Sequence, residues 1–281
     1  MVSYAQNFED VVLNRMFPPD YRGFYIDVGA FDPVSTSVTK HFYDRGWRGI
    51  NVEPSLLGYQ RFADQRPRDV NLNVALSSSA GSFTFFEAAE EARGVSTLSG
   101  ERARRSREAG HQLTERTVAV TTLAEVCAEH VTGEIDFISI DVEGHELEVL
   151  KGVDWDRWRP RVLVVEAVTS VGFAPCHEEW EPILEESGYR FGLFDGLNRF
   201  YVRQEDSELL EHLRIPANAT DNFVSQFHMY RYTTLVGGTG AIESEDLRVL
   251  HVLALRFPKA TSAARKVVRT AAKRRRRWGA G

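Results

Sequence analysis

One apolar run that ends in a single glycine constrains the fold more than any other part of the chain. Residues 24–33 read FYIDVGAFDP, a strand-like segment followed at once by Gly29 and a turn. In open α/β sheets, such a junction at the carboxyl end of a strand presents a nucleotide-type ligand. We therefore expect an α/β fold whose ligand site is built around this turn.

The residues of this turn indicate which ligand it suits. A dinucleotide site uses three glycines, so that the backbone can approach a pyrophosphate. Here Gly29 is followed by Ala30, and Asp27 and Asp32 lie at either end. Carboxylates repel a diphosphate, but they suit S-adenosylmethionine, which carries an ammonium, a sulfonium and a ribose diol and no phosphate. The turn thus favours methyl transfer; a tight strand-to-helix connection that binds no ligand is the alternative.

Apolar periodicity predicts alternating strands and helices along the first 203 residues. The last two strands read as an antiparallel hairpin around residues 195–198. This order matches a Rossmann-like fold: a mostly parallel, seven-stranded sheet closed by an antiparallel hairpin. The expected helices span 3–17, 36–45, 55–65, 122–129, 147–151 and 178–187, and the expected strands 23–29, 49–53, 70–76, 118–120, 135–141, 161–167, 189–194 and 199–202.

Two strand ends carry the remaining features of a cofactor site. Glu53 lies 26 positions after Asp27, close to the spacing at which an acid on the second strand meets a ribose diol. Pro54 closes that strand. The third predicted strand contains Asn73, Val74 and Ala75, where we expect an adenine ring to lie between apolar side chains and a backbone or amide donor.

A second informative stretch, residues 135–146, reads IDFISIDVEGHE. Its strand ends at Asp141, and a helix follows. Acids in a first helical turn are favoured by the helix dipole for stability alone, which accounts for Glu143 or Glu146 but not for Asp141 and His145. The same dipole should keep the His145 imidazole neutral, as a general base requires.

The sequence offers two candidate ways to remove a proton from an acceptor hydroxyl, a general base and a metal ion. His145 is a candidate general base, helped by Glu143 or Glu146. Asp141 and Glu166, at the ends of neighbouring parallel strands, are candidate ligands of a Mg²⁺-type cation that lowers the pKa of the hydroxyl. The catalytic set we expect is therefore His145, Asp141, Glu143 and Glu166, with both devices left open.

The chain divides into a body of residues 1–203 and an extension of residues 204–281, for which helices are predicted over 207–213, 243–257 and 260–278. Within the body, the polar, arginine-rich residues 87–117 read as a lid or an insertion. The last 17 residues carry eight basic and no acidic side chains, so the net charge of −6 leaves −14 on the first 264 residues. The acidic body disfavours nucleic acid as a partner, while the tail suggests peripheral contact with an anionic membrane.

The cysteine content and the first residues of the chain indicate the cellular compartment. Cys127 and Cys176 are the two cysteines, far apart and without metal-type spacing, which fits a reducing cytoplasm. The first residues show no signal-peptide pattern, and no apolar run approaches the length of a membrane span. We expect a cytoplasmic protein, at most peripheral at the inner face of the membrane.

Four stretches in order resemble the FkbM family of S-adenosylmethionine-dependent methyltransferases: residues 3–10 (SYAQNFED), 24–33, 51–54 (NVEP) and 138–146 with 150–152. The resemblance covers roughly residues 3–202. It implies O-methylation, commonly of sugar hydroxyls in glycans, glycolipids or polyketide-type natural products, and a cofactor contact by Tyr4 and Gln6. The expected cofactor site is Tyr4, Gln6, Asp27, Gly29, Ala30, Thr36, Glu53, Pro54, Asn73, Val74, Ala75 and Asp141.

Two rival functions stay open at this stage. The first is an NAD-type dehydrogenase on the same fold, against which the missing glycines argue. The second is a non-catalytic scaffold subunit of a glycan-assembly complex, which has no need of acids at four strand ends. A sugar or glycoside acceptor and a homodimer are the other expected partners.

Overall fold

The computed structural model describes residues 1–169 and 174–226. Twelve strands are found in these residues: β1 Val2–Ser3, β2 Phe24–Val28, β3 Arg48–Val52, β4 Val70–Leu72, β5 Ala75–Leu76, β6 Gly81–Ala88, β7 Leu113–Thr121, β8 Phe137–Ile140, β9 Val162–Glu166, β10 Tyr189–Phe194, β11 Asn198–Arg203 and β12 Val224–Ser225. The α-helices in the same residues are α1 Glu9–Asn14, α2 Lys40–Asp44, α3 Leu56–Gln65, α4 Gly100–Glu108, α5 Leu123–His130, α6 Glu146–Lys151 and α7 Glu181–Glu186.

The chain forms two compact units. The larger is Tyr4–Asn218, and the described parts of the smaller are residues 1–3 and 219–226, where β1 and β12 pair in parallel. The predicted boundary after residue 203 therefore falls too early. The 3₁₀ segment Gln204–Leu213 belongs to the larger unit, because its Leu209 and Leu213 are buried in the core of that unit.

A seven-stranded sheet forms the centre of the larger unit, in the order β4-β3-β2-β8-β9-β11-β10. All neighbouring strands are parallel except at β11, which runs antiparallel to both β9 and β10. The mostly parallel α/β architecture predicted from the sequence is confirmed. The chain order reverses between β2 and β8, and a crevice at such a switch point is where doubly wound sheets bind ligands.

The central strands of this sheet are buried on both faces. Alternate residues point to opposite sides of a strand, so Ile26 and Ile138 pack with one core cluster while Tyr25 and Phe137 pack with the other. All residues of β8 and β9 are buried, which explains their nearly continuous apolar sequences. This packing fixes the positions of the strand ends that follow.

The predicted N-terminal helix over residues 3–17 is much shorter in the structure. α1 begins at Glu9, because Phe8 has a left-handed backbone with φ of 67°. The Asp10 carboxylate accepts the backbone N–H of Tyr4 at 2.8 Å, which holds the preceding residues in a non-helical path. Glu9 and Asp10 are buried rather than solvated.

The predicted strand over residues 70–76 is in fact two strands in different sheets. β4 pairs with β3, whereas β5 pairs with β7 in a three-stranded sheet of order β5-β7-β6. Asn73 lies between them and donates its side-chain N–H to the carbonyls of Glu53 and Pro54. These bonds tie the break in the strand to the end of β3.

The arginine-rich insertion is ordered. β6 and β7 form a long antiparallel hairpin, and between them lie a 3₁₀ segment, Glu90–Val95, and α4. The Ser99 side chain caps α4, and Arg104 and Arg105 form ion pairs with Glu108 and Glu101 one turn away. These two arginines thus pair with acids along one helix, and the predicted 87–117 insertion is largely secondary structure.

Of the helices predicted near the C-terminal end of the sequence, one lies in the described residues and two do not. The one predicted at residues 207–213 is the 3₁₀ segment already described. Those over residues 243–257 and 260–278, together with the basic tail, lie outside the described residues. In the part of the chain that is described, no helix has the length and apolar character needed to cross a membrane.

Gly29 provides a test of how closely β2 and β8 approach at the switch point. Its φ is 77°, and a Cβ there would lie 1.8 Å from the backbone carbonyl oxygen of Asp141. Gly110 also has a positive φ, of 95°, but nothing lies within 4 Å of its Cβ position. Gly29→Ala should lower the free energy of unfolding by about 1–3 kcal/mol more than Gly110→Ala, measured by urea denaturation. Equal losses would contradict the close backbone contact.

Candidate functional site

A crevice of about 210 Å³ opens at the switch point, above the carboxyl ends of β2, β3 and β8. Most of the residues predicted for a cofactor contribute to its wall. Those that line it are Gln6, Asp27, Gly29, Ala30, Thr36, Glu53, Pro54, Ala75 and Asp141. Glu143 and His145 line it as well, so with Asp141 three of the four members of the predicted catalytic set face the same space.

Four predicted site residues do not line the crevice: Tyr4, Asn73, Val74 and Glu166. Tyr4 is held by Asp10, and its ring lies 5.2 Å from Lys40 Nζ. Asn73 supports the wall through its bonds to the backbone of Glu53 and Pro54, without reaching the interior itself. Val74 adjoins Asn73 at the break between β4 and β5, and packs against the core. Glu166 is buried without lining the crevice, and its surroundings are described below.

The amides of the glycine turn are engaged within the protein. Gly29 and Ala30 donate their N–H groups to the carbonyl of Val52 at 3.0 and 3.1 Å. Phe31 donates its N–H to Glu53 Oε2 at 2.8 Å. A pyrophosphate cradle needs such amides directed at the ligand, so this turn is not built for a dinucleotide.

Glu53 is buried and rigidly oriented at the end of β3. Its Oε2 accepts the N–H of Phe31, and its Oε1 accepts the N–H of Ser55, both at 2.8 Å. A carboxylate oxygen has more than one acceptor site, so both oxygens retain capacity toward a ligand. A fixed carboxylate of this kind can accept hydrogen bonds from a diol.

Asp27 places a second carboxylate in the crevice. Its Oδ2 accepts the hydroxyl hydrogen of Thr39 at 2.7 Å. Burial raises the pKa of Asp27 to about 6, although the Thr39 hydrogen bond and the charge of Arg66 act in the opposite direction. The carboxylate is therefore ionised at neutral pH and can attract a cationic ligand.

One wall of the crevice comes from residues that were not predicted as part of the site. Phe85 on β6 and Leu98, which precedes α4, line it together with Leu76 and Phe31. Ser96 and Thr97 add hydroxyl groups. Phe85, Ser96, Thr97 and Leu98 lie in or beside the insertion, and the apolar alternation at residues 82–86 was the signal that could have indicated an inward face.

The loop after β8 is a left-handed turn at Glu143 and Gly144, whose φ values are 54° and 90°. The buried Glu146 side chain holds this turn, because its Oε1 accepts the N–H groups of Val142 and Gly144 at 3.2 and 3.0 Å. Thr97 donates its hydroxyl hydrogen to the Glu143 carbonyl at 2.8 Å. Glu146 thus shapes the loop, and the prediction that it helps His145 is not what its contacts indicate.

His145 lies at the start of α6 and faces the crevice. Its Nε2 is 3.0 Å from Ser77 Oγ, which fixes the ring. Burial lowers the pKa of His145, while the charge of Glu148 opposes that shift. The imidazole is accordingly neutral at physiological pH, the form in which one ring nitrogen accepts a proton.

Three carboxylates converge at the ends of β8 and β9. One oxygen each of Asp141, Glu143 and Glu166 lies within 4.8 Å of the other two. Burial, followed by the charges of Asp141 and Glu143, raises the pKa of Glu166 to about 11. Desolvation and the charges of Glu143 and Glu146 likewise raise the pKa of Asp141 well above its usual value. In this structure the cluster is thus short of positive charge.

The chain was compared with known families and proteins. The sequence model of a family described as "Methyltransferase FkbM domain" matches residues 27–191. The curated protein "Methyltransferase sdnD" of Sordaria araneosa is 46% identical over 56 residues, which is 20% of this chain and 20% of that protein. The chain therefore aligns with about a fifth of the length of this relative.

Two solved structures are similar to this chain at low sequence identity. A methyltransferase FkbM from Methylobacillus flagellatus KT aligns with 65% of this chain and 44% of its own, at 15% identity and a TM-score of 0.39. A precorrin-6y C5,15-methyltransferase from Geobacter metallireducens GS-15 aligns with 70% of this chain and 87% of its own, at 14% identity and a TM-score of 0.36.

Proposed function

The chain belongs to the FkbM family of methyltransferases, and from that premise we propose that it transfers a methyl group from S-adenosylmethionine to a hydroxyl of a sugar-type acceptor. The observation that carries the proposal is the crevice at the switch point, with its fixed carboxylates and engaged turn amides. Such a site attracts a cationic ligand and repels a pyrophosphate.

The parts of S-adenosylmethionine correspond to different groups in the crevice. Glu53 accepts hydrogen bonds from the two ribose hydroxyls, while Asp27 attracts the positive charge of the methionine portion. The apolar wall formed by Leu76, Phe85 and Leu98 covers the purine ring. Neither carboxylate would favour a phosphate at these positions.

Methyl transfer is an in-line displacement. The acceptor oxygen attacks the methyl carbon, the carbon–sulfur bond breaks, and S-adenosylhomocysteine leaves while the hydroxyl proton passes to a base. We assign that base to His145. In the tautomer that donates Nε2–H to Ser77 Oγ, Nδ1 carries the lone pair that takes the proton.

A Mg²⁺-type cation is the second device that we propose for the same deprotonation. Asp141 and Glu166, the ligands predicted from the sequence, belong to the carboxylate cluster at the ends of β8 and β9. When bound there, such a cation would lower the pKa of a hydroxyl that reaches it. The donor set consists of hard oxygens, which suits this class of ion.

The rival functions receive less support from the geometry. The engaged amides of Gly29, Ala30 and Phe31 argue against an NAD-type dehydrogenase. A scaffold subunit would gain nothing from holding Asp27, Glu53 and His145 in one crevice, since each costs desolvation. Contact of the basic tail with anionic lipid, a homodimer, and a cytoplasmic location stay predictions.

Ligand-induced stabilisation separates the three candidate functions. S-adenosylhomocysteine at about 100 times its Kd should raise the melting temperature of the full chain by about 5 °C or more, because it binds the folded state alone. NAD⁺ at the same concentration should leave it unchanged. A rise in melting temperature with NAD⁺ would favour the dehydrogenase. An unchanged melting temperature with both ligands would favour the scaffold.

The charge of Asp27 gives a test with a pH signature. Asp27→Asn keeps an acceptor for Thr39 but removes the negative charge, so S-adenosylmethionine should bind about tenfold more weakly at pH 7.5, measured by calorimetry. In the wild-type protein the affinity should fall as the pH drops through about 6, where Asp27 takes up a proton; the variant should lack this part of the pH dependence. Asp64→Asn, at an exposed position on α3, is the control. Equal affinities of the two variants at pH 7.5 would refute the assignment.

His145→Ala tests the general base. Release of S-adenosylhomocysteine should be measured over a panel of monosaccharides, glycolipids and nucleotide sugars, and with the accepted substrate kcat should fall by about 100-fold or more. Affinity for S-adenosylhomocysteine should stay within about threefold, since proton removal is separate from cofactor binding. His212→Ala, at an exposed position, is the matched control. An unchanged kcat for His145→Ala removes His145 as the base.

A further inference from the structure

We propose that Asp141, Glu143 and Glu166 together form a three-carboxylate site for one hard divalent cation, with Glu143 as a ligand that the sequence did not indicate. This inference rests on the proposed function, because the cation would lie at the crevice in which methyl transfer is proposed. The cluster draws its three side chains from two adjacent strand ends and one loop, so its geometry is set by the sheet.

Glu166 supplies the observation that points to a ligand. Its side chain is buried, with 4% of its surface exposed, and its Oε2 has no hydrogen-bond partner among the described residues. It is the last residue of β9, and its backbone is paired with Asn198 on β11, so the side chain cannot withdraw to solvent without disrupting the sheet. A buried carboxylate oxygen without a partner is costly, and a cation between the three acids would satisfy it.

Glu143 is directed to the cluster by an unusual backbone. Its φ of 54° lies in the left-handed region, which a residue with a side chain adopts at a cost. Two contacts maintain that conformation: the Thr97 hydroxyl on its carbonyl, and the Glu146 carboxylate on the amides on either side of it. The strained turn brings the third carboxylate within 4.8 Å of the other two.

The donor atoms and their spacing specify the class of ion. All three ligands are carboxylate oxygens, which hard cations such as Mg²⁺, Mn²⁺ and Ca²⁺ prefer. Two oxygens bound to one ion are at most two bond lengths apart, about 4.2 Å for Mg²⁺ and about 4.8 Å for Ca²⁺. The oxygens of the cluster lie within 4.8 Å of one another, which agrees with the upper end of this range. His145 is not among the clustered residues, which disfavours an imidazole-preferring metal such as Zn²⁺.

Arg102 on α4 places a positive charge near the cluster. Its Nη1 is 3.6 Å from Glu143 Oε2, and its charge lowers the pKa of Glu166. A guanidinium at this distance partly neutralises the acids and repels an incoming cation. The insertion therefore tunes the affinity of the site, and loss of the Arg102 charge should strengthen cation binding.

Mn²⁺ titration of the full chain tests the proposal, with free Mn²⁺ followed by electron paramagnetic resonance. The wild-type protein should bind one Mn²⁺ with a Kd below about 1 mM. Glu166→Gln and Glu143→Gln should each weaken binding by about tenfold or more. Glu148→Gln, in which the altered acid lies outside the cluster and pairs with Lys151, should leave it unchanged. Arg102→Gln should tighten it by up to about tenfold.

Three results would overturn the site: no Mn²⁺ bound at about 5 mM, binding that Glu166→Gln leaves intact, or equal losses in Glu166→Gln and Glu148→Gln. Glu166→Gln keeps the size and shape of the side chain, so the variant should remain folded, and its melting temperature verifies this. S-adenosylhomocysteine binding is measured on the same samples. Cofactor binding without Mn²⁺ binding refutes the cation site alone, while loss of cofactor binding in the wild-type protein refutes the proposed function.

Discussion

Electrostatic repulsion among the carboxylates at the strand ends is the constraint around which the site is arranged. Parallel β2, β3, β8 and β9 end at one edge of the sheet and bring Asp27, Glu53, Asp141 and Glu166 to that edge. Such charges stay ionised only where hydrogen bonds or cations compensate them. Glu53 and Asp27 have protein partners for this purpose, whereas Glu166 has an oxygen without one among the described residues. The carboxylates that line the crevice therefore differ from the three-acid cluster in how their charge is compensated.

The insertion between β6 and β7 has consequences beyond its own helix. Its Leu98 lines the crevice beside Phe85 of β6, and Thr97 and Arg102 both contact Glu143. Changes in this insertion would thus alter the wall of the crevice and the carboxylate cluster together. The arginine-rich insertion is therefore connected by direct contacts to the candidate site.

The strand ends were predictable from the sequence because they depend on local pattern. Apolar runs that are buried on both faces, followed by Gly29, Glu53 or Asp141, specify parallel strands with acids at their carboxyl ends. Tyr4 could not be placed this way, since its position depends on the left-handed Phe8 and on Asp10. The role of Glu146 was not predicted from the sequence either. An acid in a first helical turn has the same sequence pattern whether it holds a loop or assists a base. Phe85 and Leu98 reach the crevice through a hairpin whose packing no short pattern encodes.

A crystal structure of the full chain with bound S-adenosylmethionine tests the central claim most directly. The account predicts the cofactor in the crevice, with its ribose hydroxyls hydrogen-bonded to Glu53, its methionine portion on the side of Asp27 and its methyl group on the side of His145. Cofactor on another face of the molecule, or a ribose directed away from Glu53, would contradict it.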